Sequence, residues 1–575
     1  MRALLCAALL ALSLCCSAGS PEKLEIELAP LAGADGSRSP VVAPGEAVDV
    51  FLRLPLRSGL RVEQADAVPG DAFRVSVDAA EASEVLALET VRPGTLAASL
   101  ERFDGEPVRL RFENTSPVSQ AFPAARVVGV RESTSPVVAS GPAARKRPLN
   151  VLIYLVDTLR ADRLSLYGYE RETSPELEEL ARRGLLFSNA YAPSSHTVPS
   201  ITALFASRQP SELSGRLAAD GPALRTLAEV FREAGYQTAG FQTNRQLIAG
   251  KGYARGFDDY RVVRGAKAGS GRFDSHYAKA DELHAAVEPW LRAHRDAPFF
   301  LYVQSMDTHY PYDPPAPFRD RYFSADSIPE GDRSITENLS EEQRQGLENF
   351  AEVTNPDRYD EAVAYADATI GRLLALLREL DLEQSTIVVV TSDHGEPLWQ
   401  RGEFRHGYSL FEELVRVPLV VALPGGPRAE RIEAIVSLVD LAPSLLDWVG
   451  IESPTSFRGQ SWMRPGNALE PPSAEGELLR FRTHDVVGWF LREGPWKLLR
   501  DAEGTRLFHL PSDPGEERDV AGLHPVVRGH LEAQLMRRSP SLAGSAAAPT
   551  PLSEGLSPSE RVELEEALEA LGYVE

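Results

Sequence analysis

Three apolar runs that each end on a cluster of polar, ligand-type residues constrain this chain more than any other feature. Val151-Leu152-Ile153-Tyr154-Leu155-Val156 ends on Asp157, Phe299-Phe300-Leu301-Tyr302-Val303 leads to Met306-Asp307-Thr308-His309, and Thr386-Ile387-Val388-Val389-Val390-Thr391 leads to Ser392-Asp393-His394-Gly395. Short apolar runs without alternation are strands buried on both faces, and helical patterns lie between them. Residues 148 to 460 therefore read as an α/β domain, a mostly parallel central sheet flanked by helices. Ligands of such sheets gather outside the carboxyl ends of the strands. Asp157, Asp393 and His394 together offer hard oxygens and one imidazole, a set suited to a divalent cation. Taken singly, Asp157 reads equally well as a turn-capping residue. Gly395 is read as the residue that lets the backbone turn sharply after the ligands.

The stretch APSSHTVPSITALFASR, residues 192 to 208, adds a fourth element. Pro199 suits the first turn of a helix whose buried face is Ile201, Leu204 and Phe205, which puts Thr197 at or just before a helix N-terminus. Such a terminus favours negative charge. Thr197 is accordingly either a nucleophile or a helix cap.

A chain of 575 residues is too long for one ordinary core. Met1 to Ala18 has one early Arg, an apolar run and small residues at its end, the pattern of a secretory signal peptide. Export is the expected fate: periplasmic, secreted, or anchored at the membrane as a lipoprotein, because Leu12-Ser13-Leu14-Cys15 partly matches a lipidation site. All 3 cysteines, Cys6, Cys15 and Cys16, fall inside this leader, so the rest of the chain forms no disulfide of its own. Residues 22 to 132 have period two, as in Val48, Val50, Leu52 and Leu54 or Val108, Leu110 and Phe112, with turn clusters such as Gly33-Ala34-Asp35-Gly36 between the runs. That is the grammar of a β-sandwich-like accessory domain, a spacer or a glycan- or partner-binding module. Residues 133 to 147 read as its linker. The net charge of -23 argues against a nucleic-acid partner, so an anionic substrate needs a local metal or local basic residues.

Short alternating runs, Leu479-Arg480-Phe481, Trp489-Phe490-Leu491 and Lys497-Leu498-Leu499, point to a small antiparallel C-terminal subdomain over 461 to 538. A Ser-, Ala- and Pro-rich linker over 539 to 556 and a terminal helix over 557 to 575, carrying Val562, Leu564, Leu568 and Leu571, complete the expected plan.

DTLRAD (Asp157 to Asp162), TVPS (Thr197 to Ser200), MDTHYPYDPP (Met306 to Pro315) and TSDHGE (Thr391 to Glu396) resemble the sulfatase branch of the alkaline phosphatase superfamily. VRVPLVVALPG from Val415, SLVDLAPSLLDWVG from Ser437, GPWKLL from Gly494 and LPSDPGEERDVA from Leu510 continue the resemblance in order. It implies an alkaline-phosphatase-like fold, one divalent metal ion (calcium, manganese or zinc) and a small-molecule or glycan anionic ester as substrate. Asp157, Asp393 and His394 match the family's metal ligands, and Thr197 matches its nucleophile, which also meets the metal. His309 matches a histidine lining the substrate site, and His406 the basic position that meets the ester's anionic oxygens. Asp162 and Asp307 are read as structural.

Three departures bear on the chemistry. Typical sulfatases carry Cys or Ser at the Thr197 position, oxidised to formylglycine, and Arg directly after the Pro-Ser pair, where this chain has Ile201; no formylglycine is expected here. Thr158 replaces a second Asp, which removes a hard oxygen favourable to calcium. A threonine nucleophile occurs in relatives such as phosphoethanolamine transferases and lipoteichoic acid synthases, which act on phosphodiesters. Three functions stay open: a metal-dependent hydrolase of sulfate or phosphate esters working through Thr197, with His309 or His406 protonating the leaving alcohol; a phosphoethanolamine- or glycerophosphate-type transferase using the same Thr; and a catalytically degenerate binding protein.

Overall fold

A computed structural model describes residues 4–7, 22–28, 41–42, 47–63, 73–79, 82–86, 89–92, 95–116, 120–121, 124–131 and 136–138, and then 148–213, 217, 220–221, 223–265, 277–324, 352–403, 405–464, 472–479 and 486–539. Most of the expected leader, most of the linker at 133 to 147, nearly all of the linker at 539 to 556 and the whole terminal helix lie outside the described residues. The chain divides into two compact units.

The larger unit takes in residues 137–464 and 474–489 and is built on one sheet of eight strands. These are β1 (Asn150–Val156), β2 (Leu185–Tyr191), β3 (Gln237–Gln242), β4 (Asp259–Val262), β5 (Phe299–Ser305), β6 (Thr386–Thr391), β7 (Arg416–Ala422) and β8 (Glu430–Ser437), in the spatial order β4-β3-β5-β1-β6-β7-β2-β8. Only β7 runs against its neighbours, so the sheet is mostly parallel, as the sequence pattern requires. The continuous apolar runs have a direct cause: every residue of β1, β5 and β6 is buried. Val151, Ile153 and Leu155 of β1 enter one apolar core, while Leu152, Tyr154 and Val156 enter another on the opposite face. Helices Thr197–Ala206, Leu227–Glu233 and Leu441–Val449 cover the first face. Pro175–Ala181, Ala280–His294 and Pro356–Glu379 cover the second. Each fully buried Val, Leu or Ile contributes about 1.5–3 kcal/mol, so both faces of this sheet stabilise the unit.

The register then levels the strand ends. Val156 pairs with Ser305 and Leu155 with Thr391, which brings the segments after β1, β5 and β6 to one edge.

The smaller unit, residues 1–136, 465–473 and 490–545, is a β-sandwich with C-terminal additions. One sheet orders Leu4–Ala7, Ala47–Arg53, Pro107–Asn114, Phe73–Asp78 and Ser83–Val85; the other orders Glu22–Leu28, Ala124–Arg131, Leu56–Glu63, Thr95–Ser99 and Glu89–Arg92. Pro107–Asn114 alternates between half-buried and buried residues along its length, and the buried set of both sheets forms a single core. Four residues of the expected leader, Leu4–Ala7, lie as a parallel edge strand beside Ala47–Arg53. The hairpin Trp496–Asp501 and Gly504–His509 and the helix Pro525–Arg538 belong to the same unit. A Cβ on Gly529 of that helix would lie 2.3 Å from the Phe51 ring, so helix and sandwich meet where only glycine fits. The C-terminal strands of this unit, Trp496–Asp501 and Gly504–His509, run antiparallel. No helix among the described residues is long and apolar enough to cross a membrane.

Inside the smaller unit, Glu493 accepts from Arg53 Nη2 at 2.7 Å and pairs with His530 Nε2 at 3.1 Å. Burial raises the Glu493 carboxyl, but the bond to His530 and the charge of Arg53 outweigh it and hold the group down to about 2. Its contribution is therefore complete above its ordinary value of 4.5 and is lost only as pH falls toward 2. Glu493→Ala leaves Arg53 and His530 facing a gap and should cost about 3 kcal/mol. Urea unfolding of this unit at neutral pH measures that loss; a change below about 0.5 kcal/mol would show that the trio is replaceable by water.

Candidate active site

Asp157 is the first residue beyond β1 and Asp393 the second beyond β6, and the level register sets both, fully buried, at one place. Thr197 opens the helix Thr197–Ala206, with His196 at the cap position. His196 makes no side-chain cap bond, and the Thr197 hydroxyl does not cap either: its Oγ1 lies 3.1 Å from His394 Nε2 and 3.5 Å from Asp157 Oδ2.

Asp157 is held by neutral donors. Asn244 Nδ2 and Gln304 Nε2 both donate to Oδ2 at 3.0 Å. Each amide is oriented in turn, because Gln246 N–H donates to Asn244 Oδ1 and the Tyr302 hydroxyl to Gln304 Oε1. Asp393 Oδ1 accepts from the backbone N–H groups of Thr158 and His394 at 3.3 and 3.0 Å. Asp157 Oδ1 and Asp393 Oδ2 are left buried with no hydrogen-bond partner. His394 Nε2 lies 3.9 and 3.5 Å from those two oxygens, and its Nδ1 is paired with the Gly395 carbonyl at 2.9 Å. With Nδ1–H donated there, Nε2 keeps its lone pair for the site. Burial pushes the His394 imidazole down, so these contacts are those of a neutral ring rather than ion pairs.

Ligand atoms of Asp157, Asp393 and His394 lie within 4.8 Å of one another. Two bare carboxylate oxygens and one imidazole lone pair, all buried and convergent, fit a divalent cation; an unpartnered buried carboxylate is otherwise costly. Burial, with the charge of Asp393 added, pushes Asp157 up to about 6, and burial pushes Asp393 up to about 7.

The two further histidines expected at the site are there. The His406 ring is 4.4 Å from that of His394 and 4.9 Å from that of His309, centroid to centroid. His309 Nδ1 pairs with the Tyr310 carbonyl at 2.6 Å, and His406 Nδ1 with Glu396 Oε1 at 2.8 Å. Burial lowers both imidazoles, His406 the more because His394, His309 and His196 surround it. Asp162 receives a two-pronged bond from Arg160, and Asp307 accepts from Ala280 N–H at 3.4 Å while burial lifts its carboxyl to about 6.

Four residues at the site did not stand out in the sequence: Asn244, Gln304, Glu396 and His196, whose ring is 6.0 Å from His406. A signal for two of them exists. Gln304 interrupts an apolar run, and Asn244 follows β3 as Asp157 follows β1. Gly395 carries no positive φ; it is glycine because a Cβ there would lie 1.9 Å from the Glu413 carbonyl oxygen. The positive φ, 61°, belongs to Thr158, whose turned peptides reach Asp393 on one side and the Tyr359 hydroxyl on the other.

The family profile named Sulfatase matches residues 149–451, more than half of the chain. The chain belongs to the sulfatase family. Mouse arylsulfatase K is 32% identical over 188 residues, which cover 30% of this chain and 33% of that protein. The chain thus spans about a third of the length of such curated arylsulfatases. The uncharacterized sulfatase YidJ of Escherichia coli is 24% identical over 432 residues, covering 65% of this chain and 83% of YidJ. Among solved structures, the phosphonate monoester hydrolase of Agrobacterium radiobacter has the same fold, with a TM-score of 0.54 at 20% identity over 69% of this chain and 96% of that one.

Two outcomes follow for this sulfatase-family site. Asn244→Leu or Gln304→Leu should weaken binding of manganese or zinc about 10- to 100-fold, because Asp157 loses the donors that aim Oδ1 inward; isothermal titration measures it. Metal and protons compete for the same oxygens, and Asp157 and Asp393 ionise only near 6 and 7. Affinity should therefore fall by about tenfold or more from about pH 8 to about pH 6. A flat profile would mean that the cation binds elsewhere.

Proposed function

We propose that the protein is a metal-dependent ester hydrolase that uses Thr197 as its nucleophile on phosphate or sulfate esters, with phosphodiesters preferred. The observation that carries this reading is the Thr197 hydroxyl, buried at a helix N-terminus and within 3.1 Å of His394 Nε2 and 3.5 Å of Asp157 Oδ2. A divalent cation held by Asp157, Asp393, His394 and Thr197 would supply the positive charge that ionises a hydroxyl near neutral pH.

The chain's own residues supply the rest. Asp157 and His394 orient Oγ1, and the helix N-terminus faces the charge that develops on the non-bridging oxygens. Oγ1 forms a bond to phosphorus or sulfur as the bond to the alcohol breaks, leaving an ester on Thr197. His406 stands beside His394 and His309 beside His406, and either is a candidate proton donor to the departing alcohol when it enters the step protonated. Water then resolves the ester. The preference for phosphorus is chemical: a formylglycine hydrate can eject sulfate by re-forming its aldehyde, whereas a threonine sulfate has no such route.

Purified protein given manganese or zinc, with matched p-nitrophenyl sulfate and bis-p-nitrophenyl phosphate, tests this. Diester hydrolysis should be the faster, and Thr197→Ala should lower it by about 10³-fold or more. Faster sulfate release would overturn the substrate preference, and an unchanged Thr197→Ala rate would overturn the nucleophile.

A further inference from the structure

Glu396 is the acid of the site that neither the metal cluster nor the nucleophile uses. Its side chain is fully buried, and its Oε1 lies 2.8 Å from Nδ1 of His406, itself 1% exposed. The backbone around it is fixed from the other side. Arg160, also buried, donates Nη1 to the Glu396 carbonyl at 2.9 Å and to Gln400 Oε1 at 2.7 Å while its remaining nitrogens grip Asp162. Nδ1 of all three central histidines is thus taken up at an oxygen outside the ring cluster: Gly395 O for His394, Tyr310 O for His309, Glu396 Oε1 for His406. Two of those oxygens are backbone carbonyls of the next residue. At His406 the oxygen belongs instead to a side chain ten residues away.

We propose that Glu396 is a positioning residue for His406: it accepts Nδ1–H, and so presents the Nε2 lone pair to the water that resolves the Thr197 ester. The inference rests on the reading of Thr197 as nucleophile. The water attacks phosphorus opposite Thr197 Oγ; its proton passes to His406 Nε2, the new O–P bond forms, and the Thr197 Oγ–P bond breaks with its electron pair returning to Oγ. The leaving alcohol of the first step occupied the same place opposite Oγ; where the alcohol is poor, a His406 that enters that step protonated gives its Nε2 proton to the alcohol oxygen and is left with the lone pair that takes the proton of the water. A nitrophenolate leaves without a proton. With bis-p-nitrophenyl phosphate only the second step then requires His406.

This separates the two steps in one experiment. Full-length metal-loaded protein is mixed with bis-p-nitrophenyl phosphate; the nitrophenolate burst is followed by stopped flow, and the Thr197 adduct by intact-protein and peptide mass spectrometry, with bound metal counted in each sample. In Glu396→Leu and in His406→Gln the burst should stay within about threefold of wild type, while steady turnover falls about 100-fold and the adduct accumulates toward one per chain. Glu396→Gln, which keeps an acceptor oxygen in reach of Nδ1, should recover most of the turnover. A variant that retains metal but loses burst and turnover equally, or that turns over normally, overturns the role of Glu396. His406→Gln keeps the test alive if Glu396→Leu fails to fold. An adduct trapped on Thr197 in wild type, with none accumulating in the metal-loaded variants, overturns this inference alone; no adduct on Thr197 in any sample overturns the nucleophile and this inference with it.

Discussion

Two buried carboxylates that face each other with one bare oxygen apiece govern the design of this molecule. Among the described residues no Lys or Arg reaches Asp157 or Asp393; their satisfied oxygens accept only amide, peptide and hydroxyl donors. Neutral donors fix direction without cancelling charge. The repulsion and the desolvation are therefore left standing at Asp157 Oδ1 and Asp393 Oδ2, and both acids are lifted toward neutrality in consequence. A divalent cation removes that cost where a guanidinium would have removed the site as well. The neutral His394, with Nδ1 committed to a carbonyl, completes a set that a proton satisfies poorly and a metal satisfies well.

Such a pair needs a rigid frame, and the sheet provides it. Parallel pairing of β1 with β5 and β6 leaves no freedom of register, because a slip of one residue would turn both apolar faces inside out. Behind the ligands a second layer ties the loops together. The Tyr359 hydroxyl receives Arg160 N–H at 2.8 Å and donates to the Thr158 carbonyl at 2.7 Å, joining helix Pro356–Glu379 to the turn after β1. That brace supports Thr158 at its positive φ, a conformation that costs a β-branched residue on the order of 1–3 kcal/mol. That strain falls on the residue that links the two acids, since Thr158 N–H is the donor to Asp393.

The sheet, its buried strands and the convergence of Asp157, Asp393, His394, Thr197, His309 and His406 were legible because period and residue type encode them locally: a strand buried on both faces is written in continuous apolar residues, and a site at its end in the residues that follow. What was not legible is what depends on long-range meeting. Arg53 and Glu493 are 440 positions apart, and neither segment carries a mark that Pro525–Arg538 and its hairpin share a compact unit with a sandwich formed by the first part of the chain. The sequence suggests a turn role for Gly395, but close approach by the Glu413 carbonyl is a fact of packing that no spacing announces. Glu396 stands in the sequence directly after the ligand types Asp393 and His394, and its partner His406 lies ten residues on, a meeting that no spacing marks.

The helix that carries Thr197 shows why two of the departures from the usual family pattern, Thr197 and Ile201, belong together. All of its residues, Thr197 to Ala206, are buried, so it is packed on every side rather than on one face. Ile201 lies in the core with Val198, Leu204 and Phe205, where an arginine would need a counter-charge that this apolar cluster does not offer. The helix therefore brings no side-chain cation to the site, and in the proposed reading an anion would meet its first turn alone. Pro199 has no N–H, and Ser200 N–H is already bonded to the His196 carbonyl at 3.2 Å. The donors that the helical ladder leaves over are those of Thr197 and Val198, beside the Thr197 hydroxyl itself. With Thr197 as the proposed nucleophile, Ile in place of a cation and Thr in place of an oxidisable Cys or Ser would leave charge stabilisation to the backbone and the candidate metal ligands rather than to a side chain, both fixed by the sheet before any substrate arrives.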